Sequence, residues 1–263
     1  MEYITSKQNN SLKHIRLLSK RKYREEFGEY LLEGLRLIKD SLEWQLISSI
    51  YIKESLWEKE HSLEELCQGI PYYIVSDDAW SGLALTENDQ GILAIGKIKT
   101  HDLANFLKKP IEKGSYLLVD QIQEPGNLGA LLRSAVAAGV KAIFLTKGSV
   151  DLYNPKVVRS AMSALHKVPI FTHLSDKESV ALMKSMHTYA LAPLGAKSYT
   201  EVVYESPSLC VVGNEGNGIR PSLLEEAENS VVIPMEHGME SLNLTIAASI
   251  VLFKIKECGE HGK

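Results

Sequence analysis

Five short runs in the second half of the chain are apolar without interruption: Tyr116 to Val119, Ala142 to Leu145, Tyr189 to Ala192, Leu209 to Val212 and Val231 to Ile233. A strand with one wet face alternates apolar and polar residues. An unbroken run instead needs cover on both faces. With helical stretches between the runs, the pattern predicts a mostly parallel sheet sandwiched by helices, an α/β fold. Ligands of such sheets lie beyond the carboxyl ends of the strands. The loops that follow these five runs are therefore where chemistry is expected.

The first hundred residues differ in texture. Leu12, Ile15 and Leu18 recur at helical spacing, as do Leu31, Leu35, Ile38 and Leu42. Ser49 to Lys53, Tyr72 to Val75 and Ile92 to Ile95 are short β-branched or aromatic runs. Helix, helix, strand, helix, strand, helix, strand is the predicted order, a smaller α/β domain. Mixed polarity from Lys97, with Pro110 and Gly114 near its end, suits a linker holding one short helix. We therefore divide the chain into residues 1–98, a linker at 99–113 and a second domain at 114–263. Two domains agree with 263 residues, and a content of 44% hydrophobic and 24% charged residues excludes a disordered or fibrous chain.

Charge is distributed unevenly. Residues 1–24 carry Lys7, Lys13, Arg16, Lys20, Arg21, Lys22 and Arg24 against the single acid Glu2, a local balance of +6 in a chain of net charge −4. A basic end on an acidic body fits contact with a polyanion, and equally a solvated helix face. Cys67, Cys210 and Cys258 lie far apart with no paired spacing, which excludes a disulfide framework or structural zinc and fits a reducing cytoplasm. The start, MEYITSKQNN, lacks the pattern of a signal peptide, and no apolar run reaches about 18 residues. A cytoplasmic protein with no membrane span and no metal is expected.

Three loops carry the chemical information. The first follows the run at 116–119 and contains Pro125, Gly126, Asn127, Gly129 and Arg133; Asn127 is a good N-cap for a helix from about Leu128. A bare strand-to-helix turn with a surface arginine satisfies the same residues. The second, Gly213-Asn214-Glu215-Gly216-Asn217-Gly218, lets backbone amides approach a ligand closely. It lacks the Lys-Ser/Thr of a triphosphate loop and comes too late in the chain for a dinucleotide fingerprint. A structural glycine-rich turn stays open for it. The third, from Pro234 to Leu244, has Ser241 and Asn243 as alternative N-caps for an apolar helix expected to be buried. No Ser-His-Asp order or HExxH is present, and His166 and His237 read as ordinary polar residues.

Together the three loops resemble the motifs of the SpoU (TrmH-type) branch of the SPOUT RNA methyltransferases: Asn127, Gly129 and Arg133; Val212-Gly213-Asn214-Glu215-Gly216; and Ile233-Pro234-Met235 with Ser241-Leu242-Asn243-Leu244. Phe27-Gly28-Glu29-Tyr30-Leu31-Leu32-Glu33-Gly34 is similar to the entry into the second helix of that family's ribosomal-protein-like substrate-binding domain. The resemblance implies a SPOUT-type parallel sheet with a deep trefoil knot, S-adenosylmethionine as cofactor, a homodimer, and methyl transfer to a ribose 2'-hydroxyl of ribosomal or transfer RNA, hence a role in rRNA or tRNA processing. It marks Arg133 as catalytic, with Asn127, Glu215, Ser241 and Asn243 shaping the polar part of the site. Gly213, Ile233, Met235 and Leu242 would hold the cofactor. A guanidinium stays protonated in nearly all proteins, so Arg133 suits orienting the hydroxyl better than taking its proton.

Two other readings remain: an RNA-binding assembly factor that keeps the fold without catalysis, and a Rossmann-type nucleotide enzyme. Under the methyltransferase reading Lys20, Arg21, Lys22 and Arg24 contact RNA phosphates without selecting sequence. Neutralising all four is expected to weaken RNA binding and flatten its salt dependence in a titration series. An unchanged salt slope returns them to a solvated face.

Overall fold

The computed structural model describes residues 2–85, 89–192 and 197–261. Met1 and residues 262–263, at the ends of the two expected domains, lie outside the described residues. The chain divides into two compact units: Met1–Lys99 with Tyr153–His166, and Thr100–Leu152 with Lys167–Lys263.

In the first unit the order is β1 (Glu2–Ile4), α1 (Asn10–Leu18), α2 (Arg21–Phe27), β2 (Glu29–Glu33), α3 (Leu35–Leu42), β3 (Ile47–Lys53), α4 (Glu54–Trp57), α5 (Leu63–Leu66), β4 (Tyr72–Val75), α6 (Asp77–Trp80) and β5 (Ile92–Lys97). The strands lie as β1-β4-β3-β5-β2, with β1, β4 and β3 parallel and β5 antiparallel to both its neighbours. Leu12, Ile15 and Leu18 of α1 are buried against one face, with Leu31, Tyr51, Leu93 and Trp80. The segment expected to enter a helix at Phe27 to Gly34 is instead strand β2. Leu31 shares helical spacing with Leu35 only because the two flank a junction. Gly34, at φ 104°, turns the chain there from strand into α3.

Arg24 departs from its expected RNA-facing role. It is only 3% exposed, and its Nη1 donates to the carbonyls of Leu18 and Ser19, both at 2.8 Å. The guanidinium thus satisfies carbonyls left free where α1 ends. Arg21 pairs with Glu25 one helical turn on, at 2.7 Å. Lys20 and Lys22 are exposed.

The second unit begins with α7 (Leu103–Leu107), the short helix expected in the linker, then β6 (Ser115–Val119), α8 (Pro125–Ala137) and β7 (Ile143–Thr146). Leu103, Phe106 and Leu107 pack against this unit's core. Next come α9 (Pro155–Ala161), α10 (Ala164–Lys167), β8 (Ile170–Leu174), α11 (Asp176–Met183), β9 (His187–Leu191), β10 (Lys197–Ser198), β11 (Ser208–Val212), α12 (Pro221–Leu224), β12 (Asn229–Val232) and α13 (Leu244–His261). The excursion Tyr153–His166, carrying α9, groups with the first unit across the expected boundary. There the Tyr30 ring lies 4.7 Å from that of Tyr153, and the Tyr30 hydroxyl is 2.9 Å from His166 Nε2. Burial, then nearby Lys99, pushes the His166 pKa down to about 4. It is a neutral structural imidazole, as its isolation in the sequence suggested.

All pairings of the second sheet are parallel, in the order β10-β12-β9-β11-β6-β7-β8. Every residue of β6, β7 and β11 is buried, as their unbroken apolar runs require. Strand β8 escaped that pattern because Thr172 and His173 are exposed at the sheet edge. Helix α13, expected to be wholly buried, is not. Ala248, Val251, Leu252 and Ile255 pack inward, whereas Ile246 and Phe253, seven residues apart, are 52% and 45% exposed. No helix among the described residues is long and apolar enough to cross a membrane.

Replacing Arg24 with Gln should lower stability by about 2 kcal/mol, since a buried and a part-buried carbonyl lose a charged donor. Lys20→Gln and Lys22→Gln should each stay within about 0.5 kcal/mol of the parent. Urea denaturation midpoints distinguish the two.

Candidate functional site at the carboxyl ends of the central strands

From β6 the chain builds outward through β7 to β8, then returns to the other side with β9, and β11 fills the place between β6 and β9. The order of strands therefore reverses beside β6 and β11, the position at which open α/β sheets bind ligands. The two strand ends are joined directly, as the Asp120 amide donates to the Val212 carbonyl at 2.8 Å.

Asp120 is fully buried one residue past β6. Its carboxylate accepts from Thr146 Oγ1 at 2.9 Å, from the Arg220 amide at 3.0 Å, and from Arg220 Nε and Nη2 at 3.0 and 2.8 Å. Arg220 also donates through Nη1 to Asp176 at 2.7 Å. A buried carboxylate is tolerable when every oxygen is met by donors of this kind. Arg220 follows the glycine loop after Ile219, so this pair holds the far end of that loop to the start of the first one, while the Asp120 amide on Val212 holds its near end.

The glycine loop closes on itself. Asn214 and Gly218 exchange backbone hydrogen bonds of 2.8 and 2.9 Å, and Asn214 Oδ1 accepts from the amides of Gly216 and Asn217. A Cβ on Gly213 would stand 2.0 Å from the Gly218 carbonyl carbon. Gly213 is thus required by the loop's own backbone, a stricter demand than ligand approach. Asn214 Nδ2 then donates to the Gln121 carbonyl at 2.8 Å.

Glu215 reaches from the second loop to the first. Its carboxylate accepts from the amides of Gln123 and Glu124 and from Asn127 Nδ2, each at 3.1 Å. Burial opposes its ionisation, but the bonds from Asn127 and from backbone amides outweigh this and hold its pKa below the usual carboxylate range. Its charge is therefore present at neutral pH and already committed to these donors.

Asn127 is not the N-cap expected of it. Pro125 favours the first helical position, so α8 starts earlier and Glu124 caps it, accepting from the Asn127 amide at 2.8 Å. The Asn127 side chain is thereby freed for tertiary bonds. Its Oδ1 accepts from Asn243 Nδ2 at 3.0 Å, and its carbonyl accepts from Thr245 Oγ1 at 3.0 Å. Asn243, of the two alternatives, caps α13: its Oδ1 accepts from the Thr245 amide at 2.9 Å. One asparagine therefore touches all three motif loops.

Among the other expected residues, Arg133 is exposed on α8, roughly 9 Å further along the axis than Asn127. Ser241 and Leu242 are exposed in the third loop, and Ile233 and Met235 are half-buried at its start. Lys20, Arg21, Lys22 and Arg24 belong to the first unit. Asp120, Thr146, Arg220 and Thr245 were not anticipated. Asp120 at the end of an apolar run was the one local sign, while its partner stands 100 residues away. No cluster of potential metal ligands occurs among the described residues.

A parallel sheet with three interlocked loops at its switch point places the chain among α/β enzymes that bind ligand at strand ends. Residues 114–253 match the SpoU rRNA Methylase family and residues 9–94 the MRM3-like substrate binding domain. The chain belongs to the SpoU rRNA methylase family. It is 31% identical over 97% of its length to the whole of the 23S rRNA (guanosine(2553)-2'-O)-methyltransferase RlmP of Bacillus subtilis. It is 30% identical over 91% of its length to human mitochondrial rRNA methyltransferase 3, covering 70% of that protein. The AdoMet-bound rRNA methyltransferase of Sinorhizobium meliloti superposes with a TM-score of 0.86 at 26% identity, covering 97% of both chains.

Arg220→Met should destabilise the protein by about 3 kcal/mol, because it strands a buried carboxylate. Adding Asp120→Asn should recover part of that loss in the same denaturation experiment. A double variant no more stable than Arg220→Met would exclude the stranded charge as the cause.

Proposed function

We propose that the chain is an S-adenosylmethionine-dependent methyltransferase that modifies a ribose 2'-hydroxyl of ribosomal RNA. The observation that carries this reading is the convergence of the three motif loops on Asn127 at the sheet's switch point. Membership of the SpoU family, the guanosine 2'-O activity in the name of the Bacillus relative and the AdoMet bound to the Sinorhizobium neighbour support it. Ribosomal rather than transfer RNA is favoured because both relatives are named for rRNA.

The residues present fit the cofactor. Half-buried Ile233 and Met235 and exposed Leu242 offer apolar contact for an adenine, and Gly213 offers backbone alone. When bound, the cofactor supplies an electrophilic methyl group on a sulfonium. Arg133, the catalytic residue of this proposal, is an exposed guanidinium free to meet the target nucleotide, where it orients the 2'-oxygen for in-line attack. Asn127, Glu215 and Asn243 act as positioning residues, since their polar atoms are engaged with one another and with backbone. Ser241 contributes a hydroxyl at the rim of the site.

The finer architecture follows the same reading. The third loop and α13 form the threaded part of a trefoil knot, and the first unit is a ribosomal-protein-like domain that selects the RNA. Ile246 and Phe253 on α13 form the apolar stripe of a homodimer interface, an explanation of two large exposed side chains on one helix. The working compartment is the cytoplasm, and the modification is a step in rRNA processing.

Transfer of labelled methyl from S-adenosylmethionine to total RNA from a strain lacking the gene, followed by nucleoside mapping, should yield a 2'-O-methylated rRNA nucleotide. Arg133→Ala should abolish that transfer while cofactor affinity, by calorimetry, stays within about twofold. Equal loss of both would remove Arg133 from its catalytic role. Cofactor and RNA binding without transfer by the parent chain would favour the assembly-factor reading.

A further inference from the structure

We propose that the surface formed by His14, Tyr23 and Phe27 is a stacking platform for an unpaired base of the RNA substrate, a specificity element separate from the methyl-transfer site. This rests on the RNA methyltransferase reading and names the kind of RNA the first unit takes.

Three aromatic rings meet where α2 lies against α1. Phe27 ends α2 and is 41% exposed. Its ring stands 4.7 Å from that of His14 and 6.1 Å from that of Tyr23, the latter pair tilted by only 15°. His14 is held in place by Glu29 Oε2 at 2.6 Å. The rings are therefore fixed relative to one another by the fold, which lowers the entropic cost of placing a base on them.

The cations around the rings complete the pattern. Arg24 is consumed by the carbonyls of Leu18 and Ser19, and Arg21 is paired with Glu25. Of the four basic residues at 20–24, that leaves Lys20 and Lys22 exposed, with Lys22 Nζ 5.6 Å from the centroid of the Tyr23 ring. Lys13, next to His14 in sequence, is exposed as well. An exposed aromatic surface bordered by lysines matches a nucleotide, whose base has a π face and whose phosphate is an anion. A base inside a duplex hides both its faces in the stack, so the partner is an unpaired nucleotide in a loop or bulge. The exposed Lys13, Lys20 and Lys22 supply the complementary charge.

The test uses the full chain, an unstructured RNA carrying 2-aminopurine, and a blunt RNA duplex. The parent protein should bind the unstructured RNA and change the 2-aminopurine fluorescence. Phe27→Leu, which keeps apolar bulk and removes the π face, should weaken that binding about five- to hundredfold, leave its salt slope and the duplex affinity unchanged, and abolish the fluorescence change. Phe27→Tyr should bind like the parent. Lys20→Gln with Lys22→Gln should instead flatten the salt slope on both RNAs. If Phe27→Leu does not fold by thermal melting, Tyr23→Leu and Phe27→Tyr carry the comparison. Parent-like binding by the leucine variant, or equal loss on both RNAs, overturns the platform. Failure of the parent chain to bind any RNA or methylate it overturns the functional reading itself.

Discussion

The pairing of Asp120 with Arg220 is the constraint on which the site depends. A carboxylate sealed at the end of a buried strand must find donors for both oxygens, or the strand end cannot stay dry. Arg220 meets that need with its amide and its guanidinium, and Thr146 adds a third group. Because Asp120 directly follows β6 and Arg220 follows the glycine loop after β11, this electrostatic requirement also sets the spacing of the first two motif loops. The Asp120 amide on the Val212 carbonyl makes the join continuous with the sheet.

On that base, each motif residue has a defined mechanical part. Asn214 closes the glycine loop and ties it to Gln121, Glu215 binds it to the amides of Gln123 and Glu124 in the first loop, and Asn127 passes the connection to Asn243 at the start of α13. Polar atoms engaged in this way hold geometry and leave the reacting role to a group that is still exposed. On the proposed reading Arg133, exposed on α8, is that group. Preorganisation of this kind matters for a transfer in which alignment of the acceptor oxygen with the methyl group sets much of the rate.

The basic segment of the first unit is partly structural, since Arg24 completes the end of α1, while Lys22 stays exposed beside the Tyr23 ring. Local charge alone could not separate these uses. A buried and an exposed arginine are identical letters, and what distinguishes them is whether a helix end with free carbonyls comes within reach.

Much of the fold was legible because burial on both faces leaves a direct trace: the unbroken runs at β6, β7 and β11 are buried at every position. Where burial is one-sided or the element short, the trace fades. Strand β8 shows a mixed pattern at the sheet edge, β1 spans three residues, and β2 mimics helical spacing across Gly34. The amino-acid sequence by itself thus determined the parallel α/β core, the three motif loops and the family they resemble, since these rest on local periodicity and motif spacing. Only the tertiary structure decided that Asn127 is a hub rather than a cap, that Glu215 is a clamp, that Arg24 faces inward and that Asp120 needs Arg220. Arg24 apart, whose bonds are local, those roles are set by hydrogen bonds across 88 to 118 residues of chain, and no local pattern encodes which distant donor a buried acceptor will meet.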